Sequence, residues 1–247
     1  MLKCKNAIVT GAGSGIGLAI LNLFAQNGAN VWALVHSINQ DLKEQYESLS
    51  REYNVWIKPV EFDLTDEQSV KTSVKQIVSE SDKIDILINC AGIVNTKSLA
   101  MTSLDEMKES MNVNFFMPSI ITQIVSRKMM RQKEGNIVNI ISRSAPEYRS
   151  GAYAYGSSKM ALLWGTKAVA KELAPYNIRV NGVAPGLTET KSGTGRQKEG
   201  GVEAYVSANN IKRPAKPEEI ANTVLYLVSD MSSYVSGQII NCDGGRY

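Results

Sequence analysis

Tyr155 and Lys159 stand four residues apart in Tyr155-Gly156-Ser157-Ser158-Lys159. On a helix that spacing puts both side chains on one face. A phenol with a pKa near 10 exchanges protons poorly at neutral pH. A neighbouring ammonium favours the phenolate, and lowering the pKa to about 7 takes about 4 kcal/mol of differential interaction. The pair is therefore a candidate proton-transfer site. Tyr153 lacks such a partner, because Ser157 follows it at four residues. Taken alone the pattern is common, and an exposed helical pair is the ordinary alternative.

A second group of residues suits a phosphate. Thr10-Gly11-Ala12-Gly13-Ser14-Gly15-Ile16-Gly17 does not fit G-x-G-x-x-G, because Ile16 takes the third glycine position. It fits G-x-x-x-G-x-G at Gly11, Gly15 and Gly17. An apolar strand-like run precedes it and an amphipathic helical stretch, 15–27, follows. Glycines in that position permit a tight turn and a close approach of pyrophosphate to a helix N-terminus. The loop, with Gly13, Ser14 and Ile16, is thus a dinucleotide site candidate. About 20 residues on, Val35-His36-Ser37 offers no Asp or Glu for a ribose 2′-hydroxyl. Nothing there repels a 2′-phosphate, and His36 and Ser37 can donate to one. This favours NADP(H) and leaves NAD(H) open.

The elements that must position these groups alternate. Strand-like runs cover 7–9, 31–35, 55–62, 84–88, 137–141, 178–183 and 239–240. Helical stretches cover 15–27, 42–53, 67–79 and 152–174, with others beginning at Ser103, interrupted near Pro118, and at Pro217. Such alternation predicts an α/β fold: one doubly wound parallel sheet of about seven strands with helices on both faces, Rossmann-like. Ligands then bind beyond the carboxyl ends of the strands. No linker divides 1–247, so one dinucleotide-binding and catalytic domain is expected. The glycine-rich stretch 191–201 suggests a substrate lid over about 188–210.

Composition removes other classes. The chain of 247 residues has one histidine, His36, too few for histidine-based zinc or iron sites. Cys4, Cys90 and Cys242 are scattered and odd in number, which suits a reducing compartment. A formal charge of +3 gives no reason to expect nucleic acid. No apolar run is long enough for a membrane span, and no signal peptide is visible, so a cytoplasmic protein is expected.

Together these motifs resemble the short-chain dehydrogenase/reductase family in its single-domain branch, from Thr10 to Gly245. The resemblance also includes Asp63-Leu64, Asn89-Cys90-Ala91-Gly92, Asn114, Ser142 thirteen residues before Tyr155, and Asn181-Gly182-Val183-Ala184-Pro185-Gly186. It implies that Ser142 polarises a carbonyl, Tyr155 acts as general acid or base, Lys159 holds the nicotinamide ribose and tunes Tyr155, and Asn114 holds a water leading to Lys159. It implies that Asp63 and Leu64 contact adenine, Asn89, Cys90, Ala91 and Gly92 line the adenosine ribose, and Pro185, Gly186 and Thr188 meet the carboxamide. Cys90 replaces a usual Asn, Thr188 a common Ile, and Ser14 the basic residue of many NADPH-using members.

Within the family the chain looks most like bacterial β-ketoacyl carrier-protein reductases. A small polar ketone, sugar or polyol is the alternative substrate class, and a non-catalytic NADP-sensing regulator the alternative of a different kind. Lys128, Arg131 and Lys133 form a candidate patch for an acidic carrier protein, or simply a solvated helix end. Pro175-Tyr176 stands where related reductases often carry a docking arginine. The segment 143–149, with Glu147 and Tyr148, and the lid residues Lys191, Arg196 and Lys198 suit a polar or anionic substrate. A homotetramer is expected by resemblance, packing the Tyr155 helix and the last strand against neighbours.

Overall fold

The computed structural model describes every residue except Tyr148, Lys198, Glu199 and Tyr247. Seven strands form one sheet: β1 (Asn6–Thr10), β2 (Asn30–Val35), β3 (Ile57–Glu61), β4 (Ile86–Asn89), β5 (Gly135–Ile140), β6 (Ile178–Pro185) and β7 (Ile239–Cys242). Their order is β3-β2-β1-β4-β5-β6-β7, and every pairing is parallel. The helices between them are α1 (Gly15–Gln26), α2 (Gln40–Tyr53), α3 (Glu67–Glu80), α4 (Leu104–Met111), α5 (Met117–Gln132), α6 (Tyr153–Leu173), α7 (Gly201–Val206) and α8 (Pro217–Val228). The expected doubly wound sheet is present.

Successive strand side chains point to opposite faces, so a doubly covered strand must be apolar at every position. Ala7 and Val9 join a core shared with α1 and α8, whereas Ile8 between them joins the core beneath α3 and α5. Val31 and Ala33 divide from Trp32 and Leu34 in the same way.

The interruption expected near Pro118 lies earlier. α4 passes into a π-helical turn, Asn112–Phe116, and then directly into α5. Pro118 sits in the first turn of α5, where its missing N–H removes one bond from the continuing helical ladder. β6 and β7 each run two residues further than their apolar stretches suggest, because Ala184-Pro185 still pair with Asn241-Cys242.

Candidate active site

The order of strands reverses between β1 and β4, and such a switch point opens a crevice at the strands' carboxyl ends. The Thr10 hydroxyl ties the two ends together. It accepts from the Cys90 and Ala91 amides at 2.9 and 3.0 Å. A cleft of about 710 Å³ opens above, lined by the glycine loop, Ala91-Gly92, Ser142, Tyr155, Lys159, Pro185-Gly186 and Thr188.

The glycine loop fits a dinucleotide diphosphate. Gly11 and Gly15 have φ of +70° and +54°, which other residues adopt only with strain. A Cβ on Gly17 would lie 2.1 Å from the Gly11 carbonyl oxygen, so only glycine closes this turn. Gly13 is less constrained, since its nearest neighbour would be a Val35 methyl at 3.4 Å. The Ser14 side chain makes no capping bond to α1, and no acidic residue occupies the first turn. The positive end of α1 therefore faces the cleft uncompensated.

At the far end His36 and Ser37 are exposed and line a second cleft with Gly11, Gly13, Ser14 and Val35. His36 does not line the Tyr155 cleft, so no histidine triad forms. Asp41 also lines the second cleft, a carboxylate that sequence reading missed. Nothing in the spacing marks it; the start of α2 brings it there. Asp63 Oδ1 accepts from both the amide and hydroxyl of Thr65. Those bonds hold its carboxyl below the usual range, with a smaller contribution from His36. Cys90 is half-buried and lines the cleft, and burial pushes its thiol up to about 12, too high for a nucleophile at neutral pH.

Tyr155 and Lys159 sit in the first two turns of α6. Gly156 lets the Ser142 loop close on that helix, since a Cβ there would lie 2.8 Å from the Ser144 carbonyl oxygen. Burial raises the Tyr155 phenol, and a hydrogen bond with Ser142 partly opposes the rise. Tyr205 adds to the rise and Arg149 works against it. Lys159 donates to the Ile140 carbonyl at 2.9 Å, and burial lowers its ammonium to about 8.

Asn114 is fully buried in the π-helical turn. Its Oδ1 accepts from the Ile93 amide, and its Nδ2 donates to the Ile93 carbonyl and to Ser158 Oγ, all at 3.0 Å. Both amide hydrogens are thus committed. A Cβ on Gly92 would lie 2.7 Å from Asn114 Oδ1 and 3.4 Å from Lys159 Nζ, so this glycine lets the two converge. Asn89, expected at the ribose, has a buried side chain that ties strand ends, donating to Asn139 Oδ1 at 2.8 Å and Thr122 Oγ1 at 3.1 Å. Leu64 packs at the edge of the α3 core, next to Asp63. Thr188 is buried, its hydroxyl donating to the Gly186 carbonyl. A Cβ on Gly186 would press on the Asp243 backbone at 2.9 Å.

The family model described as enoyl-(acyl carrier protein) reductase matches residues 11–246. The chain belongs to the short-chain dehydrogenase/reductase family. It is 39% identical to the 3-oxoacyl-[acyl-carrier-protein] reductase FabG of Thermotoga maritima, covering 99% of this chain and 98% of that one. It is 35% identical to a 3alpha-hydroxysteroid dehydrogenase of Mediterraneibacter gnavus, over 99% and 97%. Among solved structures, a short chain dehydrogenase from Burkholderia cenocepacia in complex with NADP superposes with a TM-score of 0.90 at 28% identity, over 99% and 98%. NAD+-bound xylitol dehydrogenase superposes with 0.89 at 29%, over 99% of each chain. This short-chain dehydrogenase/reductase is an NAD(P)-dependent oxidoreductase, which displaces the non-catalytic alternative.

The candidate carrier-protein patch lies away from the cleft. Lys128, Arg131 and Lys133 lie where α5 ends, just before β5 begins. That is the amino end of the sheet. The six residues of β5 separate it from Ser142 by about 20 Å. Lys128 is moreover spent on the Ser81 carbonyl at 2.6 Å. Of the lid, Thr194–Arg196 forms a 3₁₀ turn and Gly201–Val206 forms α7. Lys191 and Arg196 line the cleft. Tyr148 and Lys198 lie outside the described residues.

Proposed function

We propose that this protein reduces the ketone of a 3-oxoacyl group with NADPH. The convergence of Ser142, Tyr155, Lys159 and Asn114 beneath one cleft carries the reading of carbonyl reduction. The full-length similarity to 3-oxoacyl reductases supports the 3-oxoacyl part. The nicotinamide, when bound, supplies the hydride. Ser142 Oγ holds the carbonyl oxygen in hydrogen-bond range of Tyr155. The phenol, raised by burial and so protonated at neutral pH, donates its proton to that oxygen. Lys159 holds the nicotinamide ribose and returns a proton to Tyr155. A water on the Asn114 backbone carbonyl feeds Lys159. Asp63, Leu64 and the backbone of 89–92 take the adenosine, while Pro185, Gly186 and Thr188 take the carboxamide.

NADPH is favoured because the end of β2 carries no carboxylate, whereas His36 and Ser37 can donate to a 2′-phosphate. Residues 1–247 act as one catalytic unit, with 188–210 closing over the substrate. No described helix is long and apolar enough to cross a membrane. All three cysteines are unpaired, which suits the cytoplasm. Leu104, Phe116, Met160 and Trp164 are exposed on the adjoining α4, π-turn and α6, and Met231 and Tyr234 before β7. These two apolar surfaces are where a homotetramer would close. A second reading, reduction of a small polar ketone or polyol, is favoured by Ser144, Arg149 and Tyr205 in the cleft wall.

The test uses a neutral short thioester of acetoacetate with NADPH and NADH, followed at the reduced-nicotinamide band. Turnover is expected, and Tyr155→Phe should abolish it while NADPH still binds. Full activity in that variant overturns the assignment.

A further inference from the structure

Three arginines are linked through Tyr205 and the end of the chain's last described segment at the wall of the Tyr155 cleft, and they differ in what neutralises them. Arg143 Nε lies 2.8 Å from Asp243 Oδ2, with both side chains largely buried. Arg246 Nε lies 2.6 Å from Glu147 Oε1. Arg149 pairs with no carboxylate among the described residues, and it lines the cleft beside Tyr155. Among the described residues Arg149 is thus the one arginine of the three without a carboxylate partner, and it lines the cleft.

The surroundings of Arg149 are built. Its guanidinium sits 5.7 Å from the centre of the Tyr205 ring. Arg246 covers the same ring at 4.4 Å and donates to the Tyr205 carbonyl at 2.9 Å. Arg143 in turn donates to the Arg246 carbonyl at 2.8 Å. Two paired arginines thus hold the aromatic platform on which the third rests. A planar guanidinium with free N–H groups binds a carboxylate through two parallel hydrogen bonds.

Lys191 and Arg196 also line the cleft. Thr190, next to Lys191, has its methyl 3.0 Å from where a Cβ on Gly15 would lie, on the glycine-loop side of the cleft.

We propose that Arg149, seated on Tyr205, binds a carboxylate of the ketone substrate, so that among small ketones this enzyme prefers oxo acids to their neutral esters. The proposal rests on Tyr155 as proton donor to a ketone, and it bears on which ketone that is.

The experiment compares 3-oxobutanoate and 4-oxopentanoate with their methyl esters, using NADPH and the full chain. At least one acid should exceed its ester about tenfold in kcat/KM, the scale of a single charge-assisted contact. Arg149→Gln should erase that ratio, chiefly through KM of the acid. Arg149→Lys, which keeps the charge, should retain part of it and guards against a mere folding defect. Wild-type enzyme that reduces the esters as well as the acids overturns the proposal while upholding Tyr155. So does an Arg149→Gln variant that slows acid and ester equally, which would make Arg149 a tuner of the phenol. Failure to reduce acid, ester and thioester alike would instead overturn the carbonyl-reduction reading.

Discussion

Pro118 stands one helical turn after Asn114, at the position whose N–H would close the regular i→i+4 bond to the Asn114 carbonyl. Proline has no N–H to give. The π-helical turn across Asn112–Phe116 shifts the ladder at the same place, with the Met117 amide reaching Asn112. The Asn114 carbonyl is therefore without its regular donor, which is what a carbonyl needs to hold a water.

Pro118→Ala would supply that donor. It should lower kcat about tenfold, within the range of general acid–base contributions, while KM for NADPH moves little. Stability should change by only about 1 kcal/mol, because the one backbone hydrogen bond gained is offset by the greater freedom of the unfolded chain without proline. Steady-state kinetics and a thermal melt check both.

Burial lowers Lys159 to about 8, so its ammonium is lost as pH rises through that value. Reduction needs a proton, and kcat/KM should fall above pH 8, with Lys159→Arg removing the break. The stability effect has the opposite sign. Between about 8 and 10.5 the unfolded chain holds a proton on this lysine that the folded chain has released, so its contribution to stability rises with pH. Activity falling while the melting temperature does not would separate titration from unfolding.

Gly17 and Gly13 should respond differently to a methyl group. Gly17→Ala drives a Cβ into the Gly11 carbonyl oxygen at 2.1 Å, and cofactor binding should weaken at least about 100-fold or the fold should fail. Gly13→Ala meets only Val35 at 3.4 Å, and its loss should be far smaller. Fluorescence titration with NADPH measures the order.

Cofactor choice should move both ways at the second cleft. His36→Asp places a carboxylate at the end of β2 and should lower the NADPH-to-NADH ratio of kcat/KM at least about tenfold. Asp41→Asn removes the carboxylate already there and should raise that ratio.

Trp164 is 71% exposed on α6, more than a large apolar side chain keeps without a partner surface. If this surface closes the proposed homotetramer, Trp164→Glu should give smaller species than the wild type in light scattering.

Much of this was legible in the chain itself. The order of strands and helices follows from apolar periodicity, and the glycine loop and the Tyr155–Lys159 spacing are local patterns whose geometry a turn or helix dictates. What lay beyond reach depends on contacts between distant segments. Periodicity sees neither a π-helical turn nor the missing donor that Pro118 leaves to Asn114. Charge counting grouped Lys128, Arg131 and Lys133 as a docking patch, but the parallel sheet sets them at its amino end, away from Ser142. It also treated the basic residues around 143–149 alike. Only the tertiary structure brings Asp243 to Arg143 and Arg246 to Glu147, partners 100 and 99 residues away, and leaves Arg149 to face the cleft. Pairing is decided by proximity in space, which chain order does not encode residue by residue.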